Sequence, residues 1–162
     1  MELYLMQHGR PLPEAEDPER RLSPDGQIEV RTTARAMKNL GILPDLILAS
    51  PKARARETAE IVADTLGYDL NKIAIHQEFK PLSPPSESVA VLKGYRSANR
   101  ILVVGHLPSV AEIVSYLVAG VPGLKIHFKM AGLCALATSD LSPGSAELLW
   151  HLWPEHLLLI AR

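Results

Sequence analysis

The apolar positions of this chain follow two rhythms. Unbroken apolar runs occur at Leu3–Met6, in "DLILAS" (Asp45–Ser50) and in "RILVVGH" (Arg100–His106). Each run is short and flanked by charged or turn-forming residues, the pattern of a β-strand buried on both faces. The other rhythm is helical. Val30, Ala34 and Met37 share one face of a helix that starts at Pro24, with Ser23 as N-cap and Gly41 as the stop. Ser50-Pro51 repeats the cap signal, and Thr58, Ile61, Val62, Thr65 and Leu66 form the stripe of a second helix ending at Gly67. Val110, Ile113, Val114, Leu117 and Val118 repeat that stripe after the third strand.

Between and beyond these elements the pattern is looser. Residues 11–21, "PLPEAEDPERR", form a Pro-rich charged loop. "KIAIHQ" (Lys72–Gln77) alternates as a strand does, and a short helix is predicted over Glu87–Lys93. After a Gly/Pro turn at 120–123, "KIHFKM", "LCALAT" and "AELLWHLW" predict three short antiparallel strands. Strand followed by helix, three times over, argues for an α/β fold around a mostly parallel sheet. In such sheets ligands bind beyond the carboxyl ends of the strands.

Composition narrows the function classes. The 162 residues suffice for one domain, residues 1–162, with a sizeable core. A formal net charge of −1 offers no global attraction to nucleic acid or to an anionic membrane, so neither is expected as a partner. Cys134 is the single cysteine, which excludes an internal disulfide and a cysteine metal cluster and suits a reducing compartment. The chain opens without a charged segment leading into a long apolar one, and no apolar run approaches ~18 residues. A soluble, cytoplasmic protein is the expectation. Nothing in the sequence specifies an oligomeric state.

The chemistry gathers where the three buried strands end. The first runs into Gln7-His8-Gly9-Arg10, the second into Ser50-Pro51-Lys52-Ala53-Arg54-Ala55-Arg56, the third into Gly105-His106-Leu107-Pro108. A single histidine at a strand end is ordinarily a hydrogen-bonded surface residue. Three loaded segments in one topological place point to a shared site. Two imidazoles and several guanidinium groups suit a phosphate dianion: Arg offers bidentate charge-assisted hydrogen bonds, helix N-termini add backbone N–H groups, and a neutral imidazole is a nucleophile toward phosphorus. A metal site fits poorly, because the two histidines lack Cys, Asp or Glu partners at ligand spacing and the arginines repel a cation. No metal and no cofactor are expected.

These same residues carry a resemblance. "MQHG", "SPKARARETA" and "VVGHLP" resemble the three signatures of the histidine phosphatase, or phosphoglycerate mutase-like, superfamily. That family reads Arg-His-Gly after its first strand, Ser-Pro-x-x-Arg-Ala-x-x-Thr-Ala after its second and Gly-His after a later one. "DPERRLSPDG" resembles the Asp-x-x-Arg-x-Leu-Ser/Thr-x-x-Gly of the compact SixA-type phosphohistidine phosphatase branch. The resemblance implies a single-domain three-layer sandwich with helices on both faces of the sheet. It also implies roles. His8 becomes the nucleophile that is phosphorylated, with Gly9 leaving backbone room beside it. Arg54 clamps the phosphoryl group, and His106 donates a hydrogen bond to it. Arg20 helps from the first loop, and Asp17 orients Arg20 or the nucleophile. Arg21 and Arg56, one and two residues from matched positions, read as solvated charges or as charges behind the phosphate-binding residues. Glu78, in "HQEFKP", is the candidate general acid, with Glu87 following in the next segment; a phosphohistidine can present its leaving imidazole already protonated and so dispense with an acid.

Gln7 departs from the family, which has arginine there in contact with the phosphate. An amide keeps two N–H donors and loses the charge. Two function classes follow. The first is a metal-independent phosphatase working through phospho-His8, on a phosphohistidine-bearing protein or on a small phosphate ester. The second is a phosphate-binding pseudo-phosphatase with reduced turnover, which Gln7 favours and the intact His8 opposes. His76, His127, His151 and His156 lack motif context and read as strand or surface residues. Cys134 reads as core, and Trp150 and Trp153 as core or edge packing.

Overall fold

A computed structural model describes all of residues 1–162. Its strands are β1 (Glu2–Gln7), β2 (Leu46–Ala49), β3 (Ala74–Ile75), β4 (Arg100–Gly105), β5 (Leu133–Ala137) and β6 (Glu147–Leu152). Its helices are α1 (Pro24–Asn39), α2 (Ala53–Leu66), α3 (Pro85–Gly94), α4 (Ser109–Ala119) and α5 (Pro154–Ile160), with 3-10 turns at Leu70–Lys72 and Gln77–Phe79. One sheet runs in the order β3-β2-β4-β1-β5-β6. Strands β3, β2, β4 and β1 pair in parallel, and β5 is antiparallel to both β1 and β6.

The unbroken apolar runs have a direct cause. Tyr4 and Met6 of β1 pack on one face with Val30, Ala34 and Met37 of α1, Ala55, Ala59 and Val62 of α2 and Leu157 of α5. Leu3 and Leu5 point the other way, toward Val89 and Leu92 of α3 and Val110, Ile113 and Leu117 of α4. Both faces of the strand are covered, so alternation disappears and every side chain from Leu3 to Met6 is buried. This is the three-layer α/β sandwich expected. Cys134 is buried among the aliphatic side chains of the α3–α4 face. No helix is long and apolar enough to cross a membrane.

The caps explain where the helices begin and end. Ser23 accepts the Gly26 N–H at 3.1 Å and Pro24 follows at the first helical position, while Gly67 closes α2 at φ 74°. The second cap signal misleads. Lys52, not Ser50, is the N-cap of α2, because Ser50 is wholly buried at the end of β2 and turns its hydroxyl elsewhere. Helix α3 starts two residues before the position expected, at Pro85.

The last third of the chain departs further. "KIHFKM" (125–130) forms no strand. Both edges of β5 are taken by β1 and β6, and the outer edge of β6 stays unpaired. The segment instead anchors Phe128 in the core and leads to Ala131, whose N–H is shared by the carbonyls of Gln7 and His8 at 3.0 and 3.1 Å. The apolar residues after Trp153 form α5, a helix that the sequence pattern did not announce. Leu157 enters the α1 side of the core, and Asn39 Nδ2 donates to the Ile160 carbonyl at 2.8 Å. Trp150 packs on Tyr4, and Trp153 precedes α5 and carries Lys129 over its ring at 4.2 Å.

Candidate active site

Register brings the loaded strand ends together. Gln7 lies beside Gly105, and the His8 N–H donates to the Gly105 carbonyl at 3.0 Å. On the far side of β4, Ala49 lies beside Val104, and the Ser50 N–H donates to the Val104 carbonyl at 3.0 Å. His8, His106 and Ser50 therefore leave the sheet at one level.

His8 is buried and its two ring nitrogens have different partners. Nδ1 lies 2.7 Å from the Gly9 carbonyl. A carbonyl only accepts, so Nδ1 carries the proton and Nε2 holds the free lone pair. Arg54 Nε–H donates to Nε2 at 3.1 Å. Burial, more than any neighbour, pushes the His8 pKa down to about 4; the Gly9 carbonyl opposes this, and the charges on Arg54 and Arg20 add to it. The imidazole is neutral at neutral pH, as a nucleophile must be.

His106 faces His8 with ring centroids 4.9 Å apart and planes tilted by 60°. Its Nε2 lies 2.8 Å from the Ser50 hydroxyl, and its Nδ1 is buried without a partner. Burial again dominates, followed by His8, Arg54 and Lys52, and takes its pKa to about 3.

The positive charge here is not neutralised from within. No carboxylate forms an ion pair with Arg20, Lys52 or Arg54. Burial, then the neighbouring charge of Arg20, pushes the Arg54 pKa down. Arg20 and Arg54 line a cleft of about 630 Å³ with Lys52 and Arg56, and Glu14, Glu19, Glu57 and Glu60 also border it. An unpaired guanidinium in the first turn of α2, Arg54, with a second from the loop before α1, Arg20, makes a setting suited to an anion.

Arg20 reaches this cleft from an unusual backbone conformation, φ 52°. Its Nε is buried and has no partner. Asp17 holds the turn: its carboxylate accepts the N–H of Glu19 at 3.2 Å and of Arg21 at 2.8 Å. Asp17 thus bonds the backbone on either side of Arg20. Its carboxylate makes no hydrogen bond to His8 or to the Arg20 side chain. Arg21 turns to Glu19, Asp17 and Glu57.

Gly9 is required by close approach. A Cβ there would lie 2.5 Å from Val30 Cγ2 and 2.9 Å from the Gly26 carbonyl. Gln7 is almost fully buried, and its Oε1 has no partner. Glu78 sits in the 3-10 turn that follows β3. Its carboxylate lies 3.8 Å from His76 Nδ1 and makes no hydrogen bond or ion pair with His8, Arg54 or His106. Glu87 is exposed in the first turn of α3.

Comparison with known proteins agrees with this geometry. A family model described as the histidine phosphatase superfamily (branch 1) matches residues 3–80. An uncharacterized protein of Picosynechococcus sp. (strain PCC 7002) is 31% identical, over 98% of this chain and 95% of its own. The phosphohistidine phosphatase SixA of Escherichia coli (strain K12) is 30% identical, over 97% of this chain and 96% of its own. The chain belongs to the histidine phosphatase superfamily, in its SixA-type branch. A solved structure of the protein histidine phosphatase SixA complexed with tungstate superposes with a TM-score of 0.86 at 27% identity, covering 97% of this chain and 99% of that one.

Two residues of the second signature, Ser50 and Thr58, carried no assigned role in the sequence. Ser50 read as a helix cap and is instead the partner of His106. Thr58 read as part of an apolar helical stripe. It accepts the Gly9 N–H at 3.0 Å and donates to the Arg54 carbonyl at 2.7 Å, which ties the segment after His8 to the helix that carries Arg54. Two signals were available: the place of Thr58 in the second signature, and the hydroxyl itself, since a polar atom on a buried stripe needs a partner.

Proposed function

We propose that this protein is a metal-independent phosphatase that works through a phosphohistidine on His8 and acts on protein phosphohistidine. The observation that carries the reading is the opposition of His8 Nε2 and Arg54 Nε, with Nδ1 held by the Gly9 carbonyl. The Nε2 lone pair attacks phosphorus. The bond from phosphorus to the substrate's imidazole nitrogen breaks, and its electron pair leaves with an imidazole that arrived protonated. Arg54, Arg20 and His106 surround the equatorial oxygens, where positioning and charge do most of the catalytic work. Water then attacks phospho-His8, the P–N bond breaks, and phosphate and a proton leave as His8 recovers its lone pair.

The tungstate held by the similar SixA is a tetrahedral oxyanion, as phosphate is, which supports an anion at the same strand ends here. A leaving imidazole that carries its own proton agrees with the position of Glu78, whose carboxylate faces His76. One observation favours a second reading, a phosphate-binding module with slow turnover: the neutral Gln7 at the end of β1, where the family has arginine.

The deciding experiment offers a phosphohistidine-carrying protein and a panel of small phosphate esters to the enzyme, with strong chelator present. Release of phosphate from the phosphoprotein, together with an acid-labile phosphoryl group trapped on His8, is expected. Preference for a small ester moves the substrate class, binding without turnover selects the second reading, and loss of activity on chelation with recovery on adding a divalent ion overturns the mechanism.

A further inference from the structure

Ser50 and His106 form a buried pair, of which phosphoryl transfer as proposed above engages only the histidine. Ser50 is fully buried and His106 is 2% exposed. The Ser50 hydroxyl lies 2.8 Å from His106 Nε2, and the Lys52 N–H points at the same oxygen from 3.4 Å. A hydroxyl has one hydrogen to give, and the imidazole nitrogen is the only acceptor this one meets. Were Nε2 protonated instead, two N–H groups would point at the Ser50 oxygen and its own O–H would be left unpaired in a dry interior, which is costly.

We infer that Ser50 is a positioning residue that donates to His106 Nε2, locks the ring as the Nδ1–H tautomer, and thereby reserves Nδ1–H as the donor to the transferring phosphoryl group. The independent observation is at the other nitrogen: Nδ1 is buried and has no protein partner. A neutral imidazole owns a single N–H, and which nitrogen bears it is set by the hydrogen bond at the other. With Ser50 supplying the proton at one end, the donor at the other end is unspent. His8 is the mirror case. There a backbone carbonyl fixes the proton on Nδ1 and frees Nε2 as a lone pair. Two neighbouring imidazoles are thus set to opposite tasks by one acceptor and one donor, the carbonyl of Gly9 and the hydroxyl of Ser50.

The inference rests on the phosphoryl site proposed above, and its test is separable from turnover. Long-range ¹H–¹⁵N correlation spectra of the ¹⁵N-labelled full chain distinguish the two imidazole tautomers. His106 is expected to show a protonated Nδ1 and an unprotonated Nε2, and inorganic phosphate should move the Nδ1 resonance more than the Nε2 one. In Ser50→Ala the preference for Nδ1–H should disappear. With phosphoprotein substrate, kcat of that variant should fall about tenfold with a smaller change in KM, the scale seen when the group orienting a functional histidine is removed. A protonated Nε2 in the wild type overturns the inference whether or not Ser50→Ala folds. So does a folded Ser50→Ala with unchanged tautomer and kcat. A wild type with the Nδ1–H tautomer, a phosphate response and no turnover would instead sink the phosphatase reading and leave the tautomer assignment standing.

Discussion

Arg54 Nε donates to His8 Nε2 across 3.1 Å, so the guanidinium expected to clamp the phosphoryl group is hydrogen-bonded to the nitrogen proposed to attack it. Nucleophile and clamp therefore share one position, into which a phosphorus atom and its equatorial oxygens must insert. Removing the clamp should cost transition-state charge stabilisation directly. Arg54→Ala is expected to lower kcat/KM by about 10²–10³-fold, the scale for one preorganised donor. His8→Ala should abolish phosphoryl transfer and the acid-labile phosphoenzyme together. A loss under about tenfold in Arg54→Ala would place the reacting phosphoryl group elsewhere.

The two active-site histidines should make stability depend on pH in a definite direction. Burial takes His8 to about 4 and His106 to about 3, below the ordinary value of 6.5. As pH falls through about 6.5 the unfolded chain takes up protons that the folded chain refuses, so the folded state loses relative stability until about pH 4. The urea midpoint should therefore drop between about pH 7 and about pH 5, and His8→Asn should make that drop smaller. An equal drop in the variant would show that other groups govern the acid limb.

Gln7 offers a test of adaptation against deficit. Its side chain is nearly buried with an unpartnered Oε1, at the end of the strand that carries the nucleophile. Gln7→Arg would add a full charge and a bidentate fork beside His8, for an expected gain of ~1–3 kcal/mol, or roughly tenfold to a hundredfold in kcat/KM. An active wild type that Gln7→Arg fails to improve would show a pocket repacked around the amide.

Gly9 should tolerate no side chain. The Cβ of Gly9→Ala would meet Val30 Cγ2 at 2.5 Å and the Gly26 carbonyl at 2.9 Å, and the backbone of α1 has little room to yield. A destabilisation of about 1–3 kcal/mol is expected from overpacking, read from the urea midpoint, with a parallel loss of turnover as His8 is displaced. Full activity at wild-type stability would mean that α1 can move away from the nucleophile loop.

How much of this was legible in the chain differs between its parts. The two-sided burial of β1, β2 and β4 is written as unbroken apolar runs, and the helices α1, α2 and α4 as stripes of period 3.6, because burial on a regular element imposes its period on the residues. The convergence of His8, Arg54 and His106 followed from topology, since parallel strands deliver their carboxyl ends to one edge. The segment from 125 to 160 was not legible in the same way. "KIHFKM" alternates well enough for a strand, yet the segment buries Phe128 and leads to Ala131, whose N–H goes to the carbonyls of Gln7 and His8. Helix α5 is too short to show a full stripe, and its one wholly buried residue, Leu157, is fixed by packing against α1.

The amino-acid sequence by itself determined most of the local elements, the order of the loaded strand ends and which side chains stand there, because these depend on period, capping and side-chain chemistry close along the chain. The tertiary structure alone decided what each group does with its protons. Gly9 lies next to His8 in sequence and gives its carbonyl to Nδ1, while its N–H is held by Thr58, 49 residues away. Ser50 and His106 stand 56 residues apart and meet only because β2 and β4 pair in one register. A hydrogen bond across a sheet depends on the alignment of two strands, and no local pattern within either strand encodes it.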